Sequence, residues 1–315
     1  MGKRNIALII AGIMLTVGIF SATAGGFMGG VQQNIYIDEN GVHTAEGDGQ
    51  VMTTQLNSFN NIDILMHSGK IELIKSDRNA IEYRLENGER LSVCDVMNDT
   101  FVFKTDFSFS IMMFGFRESY IKLYYKDGSE FDNVSLKTSS GSIYADGITA
   151  NSLYAKSSSG SRNLSNIKAD KIDISGSSGS AKLANITAND IYVKSSSGSI
   201  SVEGMECKNF TANNSSGSIK LNHATTQSLD VRNTSGSIYV QGTPRGKSVI
   251  YSTSGSVKVY SSLPNDEYGY KLSSTSGSTK VNDETFKGSV GQEKANFIDA
   301  SATSGSVKLY FNADR

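Results

Sequence analysis

The segment SSSGSISVEGMECKNFTANNSSGSIKL, residues 195–221, carries two copies of Ser-Gly-Ser whose glycines, Gly198 and Gly217, are 19 residues apart. The same spacing continues in both directions, and two further copies follow after insertions of three and nine residues. The nine repeat glycines are Gly141, Gly160, Gly179, Gly198, Gly217, Gly236, Gly255, Gly277 and Gly305. A fixed period of about 20 residues is typical of solenoid proteins, in which each repeat is one turn of a stack.

Apolar residues keep a constant phase relative to these glycines, and positions are counted from the repeat glycine as zero. After Gly198, Ile200 and Val202 occupy positions +2 and +4, while Phe210 and Ala212 occupy +12 and +14. Alternation with a period of two is the pattern of a strand with one buried face. A serine-rich segment is usually a linker, but a linker would not hold apolar residues in register. The sequence therefore predicts an all-β fold, a single-stranded parallel β-helix (β-solenoid) of about nine 19-residue coils, expected to be right-handed.

The corners of the coils carry three further predictions. The repeat glycine is expected to supply a left-handed backbone conformation, and the serines beside it to form hydroxyl ladders between coils. Arg162 stands at a position that is apolar in most copies, and Ser248 stands where a large apolar residue is expected. Local distortion is predicted in both of these coils.

The N-terminus predicts a transmembrane signal anchor. Lys3 and Arg4 precede an uncharged stretch, residues 5–30, whose densest apolar part is residues 6–20. A bilayer needs about 20 mainly apolar residues, and the positive-inside rule places the rest of the chain outside the cytoplasm. Residues 22–24, Ala-Thr-Ala, resemble a signal-peptidase site, so cleavage is the alternative. The expected location is the cell membrane, single-pass, with the C-terminal domain outside.

Four regions follow from these patterns. They are the anchor at 1–30, a polar tether at 31–50, an N-terminal β region at 51–132 that caps the solenoid, and the Ser-Gly-Ser solenoid at 133–315. A cap is needed because an end coil exposes unpaired backbone groups.

The far end has no obvious cap unless the insertion at 282–296 folds over it, and an open C-terminal coil edge would favour self-association. Within the N-terminal β region, the apolar segment Phe107 to Phe116 (FSFSIMMFGF) is either buried core or a hairpin that contacts the membrane or a partner.

The composition excludes several function classes. A net charge of -1 gives no attraction to nucleic acid, and Cys94 and Cys207 are in no zinc or disulfide spacing. Asp173 and Asp230 point outward three coils apart, about 14 Å, which is too far for glycoside hydrolysis. No catalytic residue, cofactor or metal is therefore predicted, and a carbohydrate-active enzyme is the least favoured function.

Position +3 supplies the candidate binding residues. Lysines and tyrosines at this outward position are Lys182, Lys220, Lys258, Lys280, Lys308, Tyr144 and Tyr239. The simplest interpretation is a solvated face whose lysines discourage aggregation. The sharper hypothesis is that the stripe contacts anionic envelope polymers or lipid head groups through spaced charges.

Several of these features together resemble a known bacterial family. They are the anchor, the strand pair from Asn61-Ile62-Asp63-Ile64 to Ile74 around Ser68-Gly69, the segment Tyr120 to Gly128, and the Ser-Gly-Ser ladder. The sequence resembles the "putative adhesin" β-helix family of unknown function, which includes LiaG-like, membrane-anchored envelope proteins. The resemblance implies an anchored extracytoplasmic solenoid, in some members associated with adhesion or envelope stress, and no catalytic or ligand residues are carried over from the family to this sequence.

Two functions are favoured over a carbohydrate-active enzyme. The leading hypothesis is a non-enzymatic cell-envelope surface protein that presents a rigid rod for adhesion, scaffolding or envelope-stress sensing. The alternative is a binding module for anionic cell-wall polymer or carbohydrate. The expected partners are the membrane, through the N-terminal helix, and an anionic envelope polymer or another envelope protein.

Overall fold

The computed structural model describes residues 35–38, 41–44, 49–86, 89–107 and 118–312. Within these residues, 22 strands form one mostly parallel sheet that winds into a stack of coils. The chain is therefore an all-β solenoid, as predicted. A separate antiparallel hairpin consists of β1 (Ile35–Asp38) and β2 (Gly41–Thr44).

The described residues contain no helix of sufficient length and apolarity to cross a membrane. The predicted anchor, residues 1–30, and most of the apolar segment that begins at Phe107 lie outside the described residues.

The central coils follow the Ser-Gly-Ser repeats. Their strands are β10 (Glu130–Ser140), β11 (Ile143–Asp146), β12 (Thr149–Ser157), β13 (Arg162–Ser178), β14 (Ala181–Ser197), β15 (Ile200–Ser216), β16 (Ile219–Ser235), β17 (Ile238–Ser254) and β18 (Val257–Ser261). From β10 to β16, each paired residue lies opposite the residue one repeat later, as Ala181 with Ile200 and Ile200 with Ile219. Equivalent side chains of successive coils therefore form rows along the stack, and neighbours within a row are about 4.8 Å apart.

The core consists of the predicted alternating residues. Ile200, Val202, Phe210 and Ala212 each have at most 1% of their surface exposed. One coil cannot bury this face alone, so stacking is what creates the core.

The N-terminal end of the stack has two further layers, whose order is not the chain order. One layer is β4 (Asn61–Ser68) with β5 (Lys70–Ser76), and the other is β8 (Thr100–Phe107) with β9 (Tyr120–Lys126). Strands β4 and β5 pair in parallel with β10 and β11 on one side and with β8 and β9 on the other. The later layer, β8 with β9, therefore lies outermost.

The C-terminal end shows the same exchange of order. Its strands are β19 (Tyr268–Ser276), β20 (Thr279–Val281), β23 (Asn296–Ser304) and β24 (Val307–Tyr310), with a short 3-10 helix at Asn265–Glu267 before β19. Strands β23 and β24 pair with β17 and β18, and β19 and β20 pair with the outer side of β23 and β24. The coil of Gly305 therefore lies between those of Gly255 and Gly277.

Antiparallel strands cover both ends. At the N-terminal end, β6 (Ala80–Arg84) pairs with β9, β7 (Glu89–Met97) pairs with β8, and β3 (Met52–Gln55) pairs with β6. At the other end, β21 (Glu284–Thr285) pairs with β20 and β22 (Gly288–Val290) pairs with β19. The insertion at 282–296 does fold over the last coil, so part of the edge proposed for self-association is occupied. Self-association itself stays a prediction.

A buried carboxylate completes the N-terminal cap. Glu89 is 2% exposed and accepts hydrogen bonds from the backbone N–H groups of His67 (2.9 Å) and Ser68 (3.3 Å). It also accepts bonds from the hydroxyls of Ser68 (2.9 Å) and Thr105. The carboxylate thus supplies acceptors to the corner at Ser68-Gly69.

The predicted reason for the repeat glycines is wrong as a general rule. Gly141, Gly160, Gly198 and Gly277 are not in the left-handed region, whereas the other five are. At all nine, however, a Cβ atom would lie only 1.7–2.7 Å from the carbonyl oxygen of a glycine in the neighbouring coil. Close approach of coil to coil is therefore the requirement that all nine share.

A second corner of the central coils, at position +6, has a left-handed backbone in the five consecutive repeats from Gly141 to Gly217. Gly147, Asn166, Asn185, Gly204 and His223 occupy it with φ angles of 73°, 53°, 54°, 75° and 49°. Glycine and asparagine adopt this region at low energy, so the repeat at +6 was a usable sequence signal.

The predicted hydroxyl ladder of the flanking serines is also largely wrong. Among the described residues, one such bond joins Ser278 to Ser306, at 3.2 Å. Buried polar side chains at position −3 bind the glycine carbonyls instead: Ser157 Oγ donates to Gly141 O at 2.6 Å, and Asn233 Nδ2 donates to Gly217 O at 2.8 Å.

Arg162 fits this inner ladder without distorting its coil, contrary to the prediction. It is 0% exposed and stays in register between Ile143 and Ala181. Its guanidinium donates to the carbonyls of Ser157 (3.1 Å), Ser178 (3.2 Å) and Gly179 (2.8 Å). At position −3 relative to Gly179 the chain has Gly176, and a Cβ atom there would lie 1.7 Å from Arg162 Nη1. Arginine and glycine together replace the usual polar side chain.

The distortion predicted near Ser248 is present in the strand that leads to it. The pairing of β16 with β17 shifts register between Leu221 and Ala224 and again between Thr226 and Ser228. Ser248 itself is fully buried, and its Oγ has no hydrogen-bond partner among the described residues.

Candidate functional site

Parallel pairing aligns position +3 of successive coils into one outward row, here called the Lys/Tyr row. All seven residues predicted from the sequence lie in it. In spatial order the row contains Tyr144, Asn163, Lys182, Ser201, Lys220, Tyr239, Lys258, Lys308 and Lys280. The exchange of the last two coils places Lys308 before Lys280.

Positive charge is concentrated in the C-terminal half of the row. Lys258, Lys308 and Lys280 occupy three neighbouring strands, and Lys220 follows beyond Tyr239. Among the described residues, no carboxylate lies within ion-pairing distance of the five lysines of the row. Like charges on adjacent strands destabilise a sheet, so this arrangement is not explained by fold stability.

The N-terminal end of the row is balanced in charge. Next to Tyr144 the row continues with Glu72 and then Lys122. Lys70 forms an ion pair with Glu72, and its Nζ lies 4.5 Å from the centre of the Tyr144 ring. The N-terminal end of the row therefore has nearly balanced charge, whereas the C-terminal half is positive and can attract an anion.

Tyrosines that the sequence analysis overlooked lie beside the lysines at position +5. The rings of Tyr260 and Tyr310 stack with centres 4.7 Å apart and planes at 7°, and Tyr239 lies 5.3 Å from Tyr260. Lys220 Nζ is 5.7 Å from the Tyr239 ring centre. Tyr310 donates a hydrogen bond to Asp283 at 2.8 Å, which helps to fix its ring. The sequences Lys-Val-Tyr and Lys-Leu-Tyr at 258–260 and 308–310 were the available signal.

The carboxylates considered for catalysis are separated as predicted. Asp173 and Asp230 are three rungs apart, with Tyr192 and Thr211 between them, a separation of about 14 Å. Burial raises the pKa of Asp173, and Asp230 is ion-paired with Arg232 at 2.8 Å. The two groups cannot act together on one glycosidic bond.

The two cysteines are free, and burial raises the pKa of both thiols, that of Cys207 to about 12. Both therefore stay protonated at neutral pH and are poor nucleophiles. The described part of the chain holds no group of three or more His, Cys, Asp or Glu residues arranged to bind a metal ion.

The fold defines a class, a parallel β-solenoid with antiparallel caps at both ends. The chain belongs to the family described as Toastrack DUF4097, whose model matches residues 59–310. The family-level resemblance drawn from the sequence is thereby confirmed. Among curated proteins, none is significantly similar to this chain.

Two solved structures are similar to this chain at low sequence identity. A protein described as a "putative adhesin" from Bacteroides fragilis is 14% identical, with 84% of this chain and 98% of that chain covered and a TM-score of 0.43. A protein from Parabacteroides distasonis described as a "putative lipid binding protein" is 16% identical, with 84% and 97% covered and a TM-score of 0.49.

Proposed function

We propose that the chain is a non-enzymatic cell-envelope surface protein that presents a rigid solenoid rod. The C-terminal half of the Lys/Tyr row is its contact surface for an anionic envelope polymer. Adhesion or scaffolding then follows from holding that polymer. The predicted membrane anchor would fix the other end of the rod.

One observation carries the proposal: three lysines occupy neighbouring strands without a carboxylate partner among the described residues. Their mutual repulsion is unfavourable in the free protein. A polymer with regularly spaced negative charges would give each ammonium group a partner and would bind along the rod.

The geometry of the rod supports this arrangement. Nine repeat coils and two N-terminal layers at about 4.8 Å each give a rod roughly 50 Å long. The basic half of the row is at the end opposite the N-terminal layers. An anchor at residues 1–30 would therefore leave the contact surface away from the bilayer.

The test uses the full chain, purified in a neutral detergent, and soluble teichoic acid as the probe. Exchanging the five lysines of the row for glutamine should weaken binding strongly. The matched control exchanges five exposed lysines elsewhere on the rod, which are Lys156, Lys168, Lys171, Lys208 and Lys247. The control removes the same total charge and should retain most of the affinity.

Salt provides a second measurement. Binding through exposed charges should weaken steadily as ionic strength rises, because the Debye length shrinks to about 3 Å at 1 M salt. Equal loss of affinity in both five-lysine variants would show that net charge alone decides binding, and the proposed surface would be rejected.

A further inference from the structure

We infer that a groove beside the serine corner, on a different side of the rod from the Lys/Tyr row, binds a short segment of an acidic glycan. The groove crosses the coils of Gly198, Gly217, Gly236 and Gly255 and has a volume of about 300 Å³. It is here called the corner groove. The sequence analysis did not identify it.

One wall of the corner groove is formed by position −4. Parallel pairing places four residues of this wall side by side in successive coils: Lys194, Asn213, Arg232 and Tyr251. Lys194 and Arg232 are therefore two coils apart, about 10 Å along the rod. The wall offers two cations, an amide and an aromatic ring in one line.

The arginine on this wall is already oriented. Arg232 Nε and Nη2 donate to the two oxygens of Asp230, at 2.8 Å and 3.2 Å. The guanidinium has five N–H groups in a fixed plane, so three remain for a ligand. Lys194 is exposed and, among the described residues, has no carboxylate within ion-pairing distance. Asp230 offsets the charge of Arg232, so the net positive charge of this wall comes from Lys194. A carboxylate of a ligand would be attracted by Lys194 and could also accept from the remaining N–H groups of Arg232.

The other wall and the floor are polar but uncharged. Ser215, Thr234 and Thr253 supply hydroxyls at position −2. Asn214 and Asn233, which are 5% and 2% exposed, line the floor, and their amide groups are held by carbonyls of the repeat glycines. Their Oδ1 atoms are buried, so the polar groups that a ligand meets on this side are the three hydroxyls. Such a surface suits a ligand rich in hydroxyl groups rather than an apolar one.

The ring of Tyr251 favours a negatively charged sugar chain over a negatively charged acyclic polyol. Its hydroxyl is fixed 3.0 Å from Thr303 Oγ1, and its ring forms the end of the wall. An aromatic ring contacts the C–H face of a sugar ring, whereas an acyclic polyol phosphate has no such face. The groove therefore fits a pyranose chain with carboxylate groups, about three sugar units long if it spans the four coils.

The experiment titrates the full chain with trigalacturonate and, as an uncharged analogue, maltotriose, at low salt. Trigalacturonate should bind, and maltotriose should bind about tenfold more weakly because it lacks the carboxylates. The variant Lys194→Gln/Arg232→Gln should lose about tenfold in trigalacturonate affinity at an unchanged unfolding midpoint. Lys258→Gln/Lys308→Gln in the Lys/Tyr row should change the affinity by less than about twofold.

The outcomes separate this inference from the proposed function. Equal affinity for both trisaccharides, absence of trigalacturonate binding, or an affinity insensitive to the groove variant would overturn the corner groove. Loss of binding only in the Lys258→Gln/Lys308→Gln variant would also overturn it, while leaving the proposed role of the Lys/Tyr row intact.

Discussion

Replacing one repeat glycine by alanine should destabilise the rod even where the glycine backbone is not left-handed. At Gly198 a Cβ would lie 2.0 Å from the carbonyl oxygen of Gly179, whereas an ordinary contact begins at 3.4 Å. The neighbouring coil must therefore move by about 1.4 Å at this corner. Such overpacking costs about 2 kcal/mol, and weakening the adjacent bond from Ala181 N to Ser199 O adds about 1 kcal/mol.

The matched control is Gly128→Ala. Gly128 has a φ of +79°, and a Cβ there meets no atom within 4 Å. Its substitution should cost only the backbone strain, about 1 kcal/mol. Urea unfolding of the full chain, followed by circular dichroism, gives both values, and Gly198→Ala should be the less stable by about 2 kcal/mol. If left-handed conformation were the requirement, the order would be reversed, and the close-stacking argument would be refuted.

Three further predictions concern the core and the caps. Arg162→Ile should lower the free energy of unfolding by about 3 kcal/mol because three carbonyls lose their donor. Adding Gly176→Ser should recover part of that loss in a double-mutant cycle, and additive effects of the two substitutions would contradict the compensation. Glu89→Ala should cost about 3 kcal/mol, measured by thermal unfolding, because the N–H of Ser68 and the hydroxyls of Ser68 and Thr105 lose their acceptor, and Glu89→Gln should cost less since it keeps one acceptor oxygen. Replacing residues 284–290 with a glycine-serine loop should expose the outer coil edge and produce concentration-dependent oligomers in light scattering; a strictly monomeric variant would show that this cap is not needed.

The repeat register was predictable because each buried position is marked by an apolar residue at a fixed distance from the repeat glycine. Ile200 and Val202 alternate at fixed distances from Gly198, and the structure buries both. The Lys/Tyr row was predictable for the same reason: parallel coils with a constant period convert equal sequence positions into one spatial row. Whether that row binds a polymer remains a prediction.

The order of the end coils could not be predicted from the repeat. Ser-Gly-Ser around Gly277 and around Gly305 is identical, so either copy could stack on the coil of Gly255. The choice depends on how the insertion at 282–296 pairs with the outer coil, which is a long-range interaction.

Two other features depend on pairs of residues rather than on single positions. Arg162 alone suggests distortion, and only its contact with the space at Gly176 explains why it fits. The corner groove is formed by Lys194, Arg232 and Tyr251 from a stretch of four successive coils, whereas the sequence analysis had followed position +3 alone.

Removing one whole repeat tests the stacking of equivalent coils most directly. Deleting residues 200–218, which joins Ser199 to Ile219, removes 19 residues and keeps the register of every remaining coil. The full chain with this deletion should keep its β circular dichroism and a cooperative unfolding transition, and small-angle scattering should show a rod about 5 Å shorter. Deleting residues 200–209 instead should disrupt folding because half a coil breaks the register. Loss of folding in the 19-residue deletion, or equal tolerance of both deletions, would contradict the stacked-coil account.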